Sequence, residues 1–194
     1  MADDLRERWR AAFWDALQRH HTAAVLKEAS LQGRLGDWTA ALTDGVVATC
    51  VAMGWQAAAK GHPLDLLPEA RHEYLAMDVM AFAPSGANWR FPVAVMELEN
   101  SRNDARIAYS LWKVLCVRAS LRIVYCYRRQ AEQGAALVHW MGREVIGAFT
   151  ITERMNIEGE TLVVVGSRDE AATFPYGFFR WWVLDSNLGQ FRPY

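Results

Sequence analysis

The sequence predicts a single α/β domain in which helices flank a mixed β-sheet. Segments rich in β-branched and aromatic residues alternate along the chain with segments of helical periodicity. Two strand-like segments, 73–82 and 91–100, are separated by only a short turn, and a strand–helix–strand unit follows over 91–127. The chain has 194 residues, of which 52% are apolar, and this length and composition suit one core.

The amino-terminal part of the chain is predicted to be helical. Apolar residues recur at helical spacing over 3–20, and a helical continuation over 22–31 ends at a nearby pair of glycines. Asp37 is the expected N-cap of a helix over 38–54, whose last residue, Gly54, suits a helix end.

A hairpin and a crossover are predicted for the middle of the chain. Residues 73–82 and 91–100 are expected to pair as antiparallel strands across the turn 83–89. Residues 102–120 carry a helical apolar face, and 121–127 are rich in β-forming residues. A strand, a helix of this length and another strand form a crossover, which favours parallel pairing of the two strands.

The carboxy-terminal part is predicted to complete the sheet with a helix over 133–149 and two late strands, 161–166 and 174–184. We expect the chain to divide into an N-terminal helical segment that packs on the core, 1–35, and the α/β domain itself, 36–194.

Charge and cysteine content limit the classes of function. The formal net charge is −1, so nucleic acid binding would depend on a local basic patch. Cys50, Cys116 and Cys126 each lie in an apolar run, and we interpret them as buried thiols of a cytoplasmic protein. The first ten residues contain no apolar signal region, and we expect no membrane span.

Carboxylates at the end of an apolar strand are the most informative feature of the sequence. In FPVAVMELENSR (91–102), Glu97 and Glu99 lie two residues apart and therefore on one face of the strand. Asp78 lies within the apolar segment that is predicted to pair with this strand. Buried carboxylates are costly unless they are paired, protonated or bound to a metal. A divalent cation such as Mg²⁺ or Mn²⁺ would remove the repulsion among three converging acids.

This arrangement resembles the PD-(D/E)xK nuclease superfamily, which has a restriction-endonuclease-like fold. The resemblance covers about residues 36–128: a helix, a strand with Asp78, a turn, a strand with Glu97, a helix and a strand. It implies a divalent-metal-dependent nuclease in which Asp78 and Glu97 bind the metal. Met77 stands where the family has proline, and Glu99 stands where the family has lysine.

The missing lysine has two replacements in the sequence. The resemblance implies that Glu99 binds metal or acts as base, or that the lysine has moved to the following helix, where Lys113 is available. The family often has an acidic residue on its first core helix, for which Asp44 is our first choice and Glu28 our second.

The expected partner is nucleic acid, with DNA as the favoured substrate, and the protein is a candidate homodimer. Near the carboxylates, Arg102, Arg106, Lys113 and Arg118 could contact phosphates.

Three alternatives stay open. Asp78 and Glu97 could belong to a buried salt bridge, for instance with Arg102 or Arg106. The chain could be a catalytically inactive member of the same fold that acts as a nucleic-acid-binding or assembly subunit. A hydrolase that acts on sugars with an Asp/Glu pair is the third alternative.

Overall fold

The computed structural model describes residues 5–19, 22–67, 71–84 and 89–194. The helices are α1 (Leu5–Arg19), α2 (Thr22–Gln32), α3 (Leu35–Ala52), α4 (Asp104–Leu115), α5 (Ala131–Met141) and α6 (Ile151–Met155). A π-helical turn (Gly142–Ile146) continues α5, and a 3₁₀ helix covers Arg168–Thr173. The strands are β1 (Gln56–Ala59), β2 (Val79–Phe82), β3 (Ala94–Glu99), β4 (Leu121–Arg128), β5 (Glu160–Ser167), β6 (Phe179–Asp185) and β7 (Gln190–Pro193).

One mixed sheet organises the chain, as predicted. Its seven strands lie in the order β1 to β7. Strands β3, β4 and β5 are parallel, and the other neighbouring pairs are antiparallel. The structure thus confirms the antiparallel pairing of the hairpin strands and the parallel crossover through α4. Residues 85–88 of the predicted turn 83–89 lie outside the described residues.

Helices cover both faces of the sheet, and the alternation of β3 shows how. Met96 and Leu98 point into a core shared with α1, α2 and α3, which contribute large aromatic side chains such as Trp9 and Trp38. Val95 points the other way, into a core shared with α4 and α5. Since side chains alternate along a strand, Glu97 lies on the same face as Val95 and therefore beneath α4.

The strand predicted over 73–82 begins later than expected, at Val79. Leu75 and Ala76 both have a φ of 53°, which a strand cannot accommodate. Asp78 consequently lies immediately before β2 and not within it, and this corrects the sequence prediction.

The N-terminal boundary of α3 also differs from the prediction. The helix begins at Leu35, and Asp37 lies inside its first turn. There the Asp37 carboxylate accepts a hydrogen bond from Arg34 at 2.8 Å, at a helix end that favours negative charge. The N-cap assignment of Asp37 was therefore wrong.

Several short elements escaped prediction, namely β1, β7 and α6, because each has only four or five residues. Cys50 and Cys126 are buried as expected, but Cys116 is exposed beyond the end of α4. No helix in the described part of the chain has the length and apolar character needed to cross a membrane.

Candidate active site

The candidate site begins at the turn that leads into β2. Leu75 and Ala76 occupy the left-handed region of φ, which residues with a side chain seldom adopt. The Met77 N–H donates to the Tyr74 carbonyl at 3.0 Å and closes the turn. As a result, the Ala76 carbonyl is directed toward α4, and Asp78 is placed beside β3.

Two hydrogen bonds hold Asp78 and Glu97 beside each other. The Leu98 backbone N–H donates to Asp78 Oδ2 at 2.7 Å, and the Asp78 backbone N–H donates to Glu97 Oε1 at 3.3 Å. The register that pairs Val79 with Met96 produces this alignment. The two acids are therefore neighbours, although Asp78 lies outside the strand.

Lys113 reaches this pair of acids from the last turn of α4. Its Nζ lies 2.7 Å from Glu97 Oε1, and the same Nζ donates to the Ala76 carbonyl at 2.6 Å. Only 6% of the Glu97 side chain and 21% of the Lys113 side chain are exposed. An ammonium group has three N–H donors. One of them is left without a partner among the described residues.

Burial raises the pKa of Glu97 from 4.5 to about 7, and the Asp78 charge adds to the rise. The hydrogen bond and the charge of Lys113 lower this pKa, but they do not cancel the effect of burial. A carboxyl group with this pKa is partly protonated at neutral pH. An additional cation at the site would favour the ionised carboxylate.

The donor set fits a hard divalent cation. Asp78 Oδ1 and Glu97 Oε2 accept no hydrogen bond from any residue that the structure describes. Mg²⁺ typically binds one or two carboxylates and completes its shell with water and substrate phosphate oxygens. Within the described ranges, no group of three or more His, Cys, Asp or Glu residues is arranged to hold a metal ion. Asp78 and Glu97 therefore stand as a pair.

The Glu99 carboxylate binds the backbone two residues later in the chain. Its Oε1 accepts a hydrogen bond from the Ser101 N–H at 2.8 Å. Burial raises the pKa of the neighbouring Cys126 thiol to about 12, and the charge of Glu99 contributes to that rise. The structure thus brings together two of the three predicted carboxylates and uses the third in the turn after β3.

The two acids predicted for the first core helix have other partners. Asp44 Oδ1 lies 2.8 Å from His62 Nε2, on the surface. Glu28 is on α2, exposed, and 3.2 Å from an Arg34 guanidinium nitrogen. No hydrogen bond or ion pair links either acid to the candidate site within the described part of the chain.

The three arginines predicted to contact phosphates do not form one patch. Arg102 follows β3, near the carboxyl end of β4, because the neighbouring Ser101 carbonyl accepts from Arg128 at 3.3 Å. Arg118 precedes β4, and its guanidinium lies 4.8 Å from the centre of the Phe91 ring. Strand β4 has eight residues, so these two arginines are separated by about 23 Å along the strand. Arg106 is exposed on α4.

The Ala76 carbonyl is the part of the site that sequence reasoning missed. It accepts a hydrogen bond from Lys113 within a turn where two successive residues adopt positive φ. Leu75 and Ala76 are ordinary apolar residues with no preference for that conformation. The sequence contains no glycine or asparagine signal that would have revealed this turn.

No protein-family model, curated protein sequence or solved structure matches the chain. Functional inference therefore depends on the residues of the site and on the order of the elements that carry them.

Proposed function

We propose that the chain is a divalent-metal-dependent nuclease that hydrolyses phosphodiester bonds, with DNA as the favoured substrate. The observation that carries this proposal is the meeting of Asp78, Glu97 and Lys113 at one point beneath α4. Such a hydrolysis requires carboxylates that bind a cation and, beside them, a positively charged group that binds the phosphate.

The order of elements supports the same proposal. Apart from the added strand β1 after α3, the elements follow the order that suggested the PD-(D/E)xK superfamily: helix α3, strand β2 preceded by Asp78, strand β3 with Glu97, helix α4 and strand β4. Lys113 contacts Glu97 from the helix that follows the acidic strand. This position is the one expected for a lysine that has moved out of the strand.

Each residue has a distinct role in the proposed reaction. Asp78 and Glu97 would hold Mg²⁺ or Mn²⁺ through their free oxygens. When bound, the cation would activate water and stabilise the negative charge that develops on the phosphate. Lys113 keeps Glu97 in place and offers its remaining N–H to a phosphate oxygen or to the attacking water. Lys113 is favoured over Glu99 for this role because Glu99 is engaged by the Ser101 N–H.

A cleavage assay on the purified protein tests the proposal. Labelled single-stranded and duplex DNA would be incubated with Mn²⁺ or Mg²⁺, with a chelator as the negative control. We expect Asp78→Asn, Glu97→Gln and Lys113→Met each to reduce the rate by about 100-fold or more. The exposed residues Glu132 and Lys60 supply matched controls, since Glu132→Gln and Lys60→Met change the same groups elsewhere. Cleavage that survives the chelator, or that is unchanged in Glu97→Gln, would overturn the assignment.

A second candidate is a catalytically inactive nucleic-acid-binding or assembly subunit. It is favoured by the Glu97–Lys113 ion pair, which can serve packing alone, and by the pairing of only two carboxylates. A wild-type protein that binds DNA but cleaves neither form under Mn²⁺ would select this candidate.

A further inference from the structure

A basic cleft lies at the carboxyl ends of the parallel strands. We call it the arginine cleft, and its volume is about 700 Å³. Parallel pairing places Arg128, the last residue of β4, opposite Ser167 of β5, and Arg168 follows directly. The side chains that define the cleft by charge are Arg102, Arg128, Arg129 and Arg168, with Asp104 as the opposing acid.

Within the described ranges, the fold pairs two of the four arginines of the cleft with an acid and leaves the other two without one. Arg128 is 11% exposed and is engaged by Asp104 and by backbone carbonyls. Arg129 is 76% exposed and lies 3.8 Å from Asp169. Arg102 makes no hydrogen bond or ion pair with another residue in the described ranges. In a chain of formal net charge −1, this is a local excess of positive charge.

An aromatic groove adjoins the arginine cleft. It runs between α4 and the end of α5 and has a volume of about 480 Å³. Its aromatic lining residues are Tyr109, Trp112, Trp140 and Phe149, and Glu144 and Glu153 lie at the same groove, so phosphates are expected to bind in the arginine cleft and not here. The rings of Tyr109 and Trp112 are 5.7 Å apart, and both side chains are exposed. Trp140 lines both the cleft and the groove, so the two cavities meet at this residue.

We propose that the arginine cleft and the aromatic groove form one binding path for single-stranded nucleic acid. Guanidinium groups bind the phosphates, and exposed rings stack on the bases, which is the combination that single strands require. A duplex keeps its bases paired and stacked inside, so their faces cannot reach Trp140 or Trp112. The binding path favours single-stranded over duplex nucleic acid as the substrate of the nuclease, and this conclusion rests on the proposed function.

Helix α4 extends from the arginine cleft to the candidate active site. Asp104, the first residue of α4, lines the arginine cleft, and Lys113 lies nine residues later at the carboxylate pair. That interval corresponds to about 14 Å of helix. A strand held in the cleft therefore needs only a few nucleotides to reach the site.

Binding of a fluorescent oligothymidine of about 15 nucleotides tests the proposal by anisotropy, in chelator and over a series of salt concentrations. We expect the pair Arg102→Ala and Arg129→Ala to weaken binding by at least about tenfold and to reduce the salt slope by about 1.4. Arg8→Ala is the matched control, because the exposed Arg8 lies on α1, across the sheet from α4 and α5, and it should leave binding unchanged.

Stacking is tested at Trp140. We expect Trp140→Leu, which keeps an apolar side chain, to weaken binding by about 5- to 100-fold, while Trp140→Phe retains most of it. Trp89→Leu changes an exposed tryptophan outside the path and serves as the control. Thermal melting of each variant identifies any loss of fold.

Three outcomes would overturn the proposal: a duplex of equal length that binds as tightly as the single strand, an equal effect of Arg8→Ala, or full binding by Trp140→Leu. Because binding is measured in chelator, an inactive protein can still satisfy this test. If the protein is an active nuclease and these substitutions do not change its binding of the oligothymidine, the proposed function stands and the proposed binding path is wrong.

Discussion

The candidate active site and the arginine cleft lie toward opposite ends of α4 and differ in the sign of their uncompensated charge. At the site, the Asp78 and Glu97 carboxylates are neighbours, the ammonium of Lys113 pairs with Glu97, and Glu97 is almost completely buried. In the cleft, four arginines lie with Asp104, and Asp169 pairs with the exposed Arg129. The fold thus leaves one end short of positive charge and the other short of negative charge. A cation and a polyanion would supply what each end lacks.

The largest effect expected to distinguish the two regions is the contribution of Glu97 to the pH dependence of the free energy of unfolding. Because burial raises the pKa of Glu97 from 4.5 to about 7, the folded state binds this proton more tightly than the unfolded state. Its stabilising contribution is full below pH 4.5 and is lost as the pH rises through 7, by at most about 3 kcal/mol.

Urea denaturation of wild type and Glu97→Gln across this pH range measures that contribution as the difference between the two curves. Glu132→Gln, in the exposed first turn of α5, should follow the wild type at every pH. Parallel curves for wild type and Glu97→Gln would contradict the proposed burial cost.

Removing Lys113 should have the next largest effect. Lys113→Met leaves the ionised Glu97 carboxylate without its ion-pair partner. Because Lys113 is partly exposed, we expect a loss near pH 8 of about 2 kcal/mol, as for a hydrogen bond to a charged group. The loss should shrink near pH 5, where Glu97 is protonated in the folded state. Chemical denaturation at both pH values checks this, with the exposed Lys60→Met as control. A loss that does not depend on pH would mean that Lys113 acts by packing alone.

In contrast to these losses, a glycine substitution in the turn beside the site should increase the stability of the protein. Ala76 has a φ of 53°, which glycine adopts without a steric penalty. We therefore expect Ala76→Gly to stabilise the protein by up to about 1 kcal/mol. Gly54 has a φ of 76° and open space around it, so Gly54→Ala should cost a similar amount and calibrates the measurement by thermal melting. Destabilisation by Ala76→Gly would show that the turn is not strained.

The smallest effect is expected in the arginine cleft. Arg102→Ala should change the free energy of unfolding by less than about 0.5 kcal/mol, because the fold makes no use of its charge. Arg128→Ala should cost more, since Asp104 and two backbone carbonyls would lose their donor. If denaturant titrations show equal losses in the free energy of unfolding for the two variants, Arg128 does not differ from Arg102 in its contribution to stability.

Local sequence patterns were sufficient to predict the β3–α4–β4 unit and the neighbourhood of Asp78 and Glu97. Alternation along β3 identifies which residues share a face, and helical spacing places Lys113 on the side of α4 that can reach Glu97. Both patterns depend on a few neighbouring residues, so they are visible in one chain.

The remaining features depend on contacts that are distant in sequence. Arg128 and Arg168 meet only because β4 and β5 pair in parallel register, and sequence alone does not specify that register. The start of β2 was misplaced because the positive φ at Leu75 and Ala76 is imposed by the surrounding fold and not by residue preference.

The most direct test of the central claim is a calorimetric titration of Mn²⁺ into wild type, Glu97→Gln and Glu132→Gln. Each titration is made with the protein alone and with a cleavage-resistant phosphorothioate oligonucleotide that supplies phosphate ligands. We predict saturable Mn²⁺ binding to wild type and Glu132→Gln, and binding at least about tenfold weaker in Glu97→Gln. Equal binding by Glu97→Gln, or no binding by wild type even with the oligonucleotide, would contradict a metal site at Asp78 and Glu97.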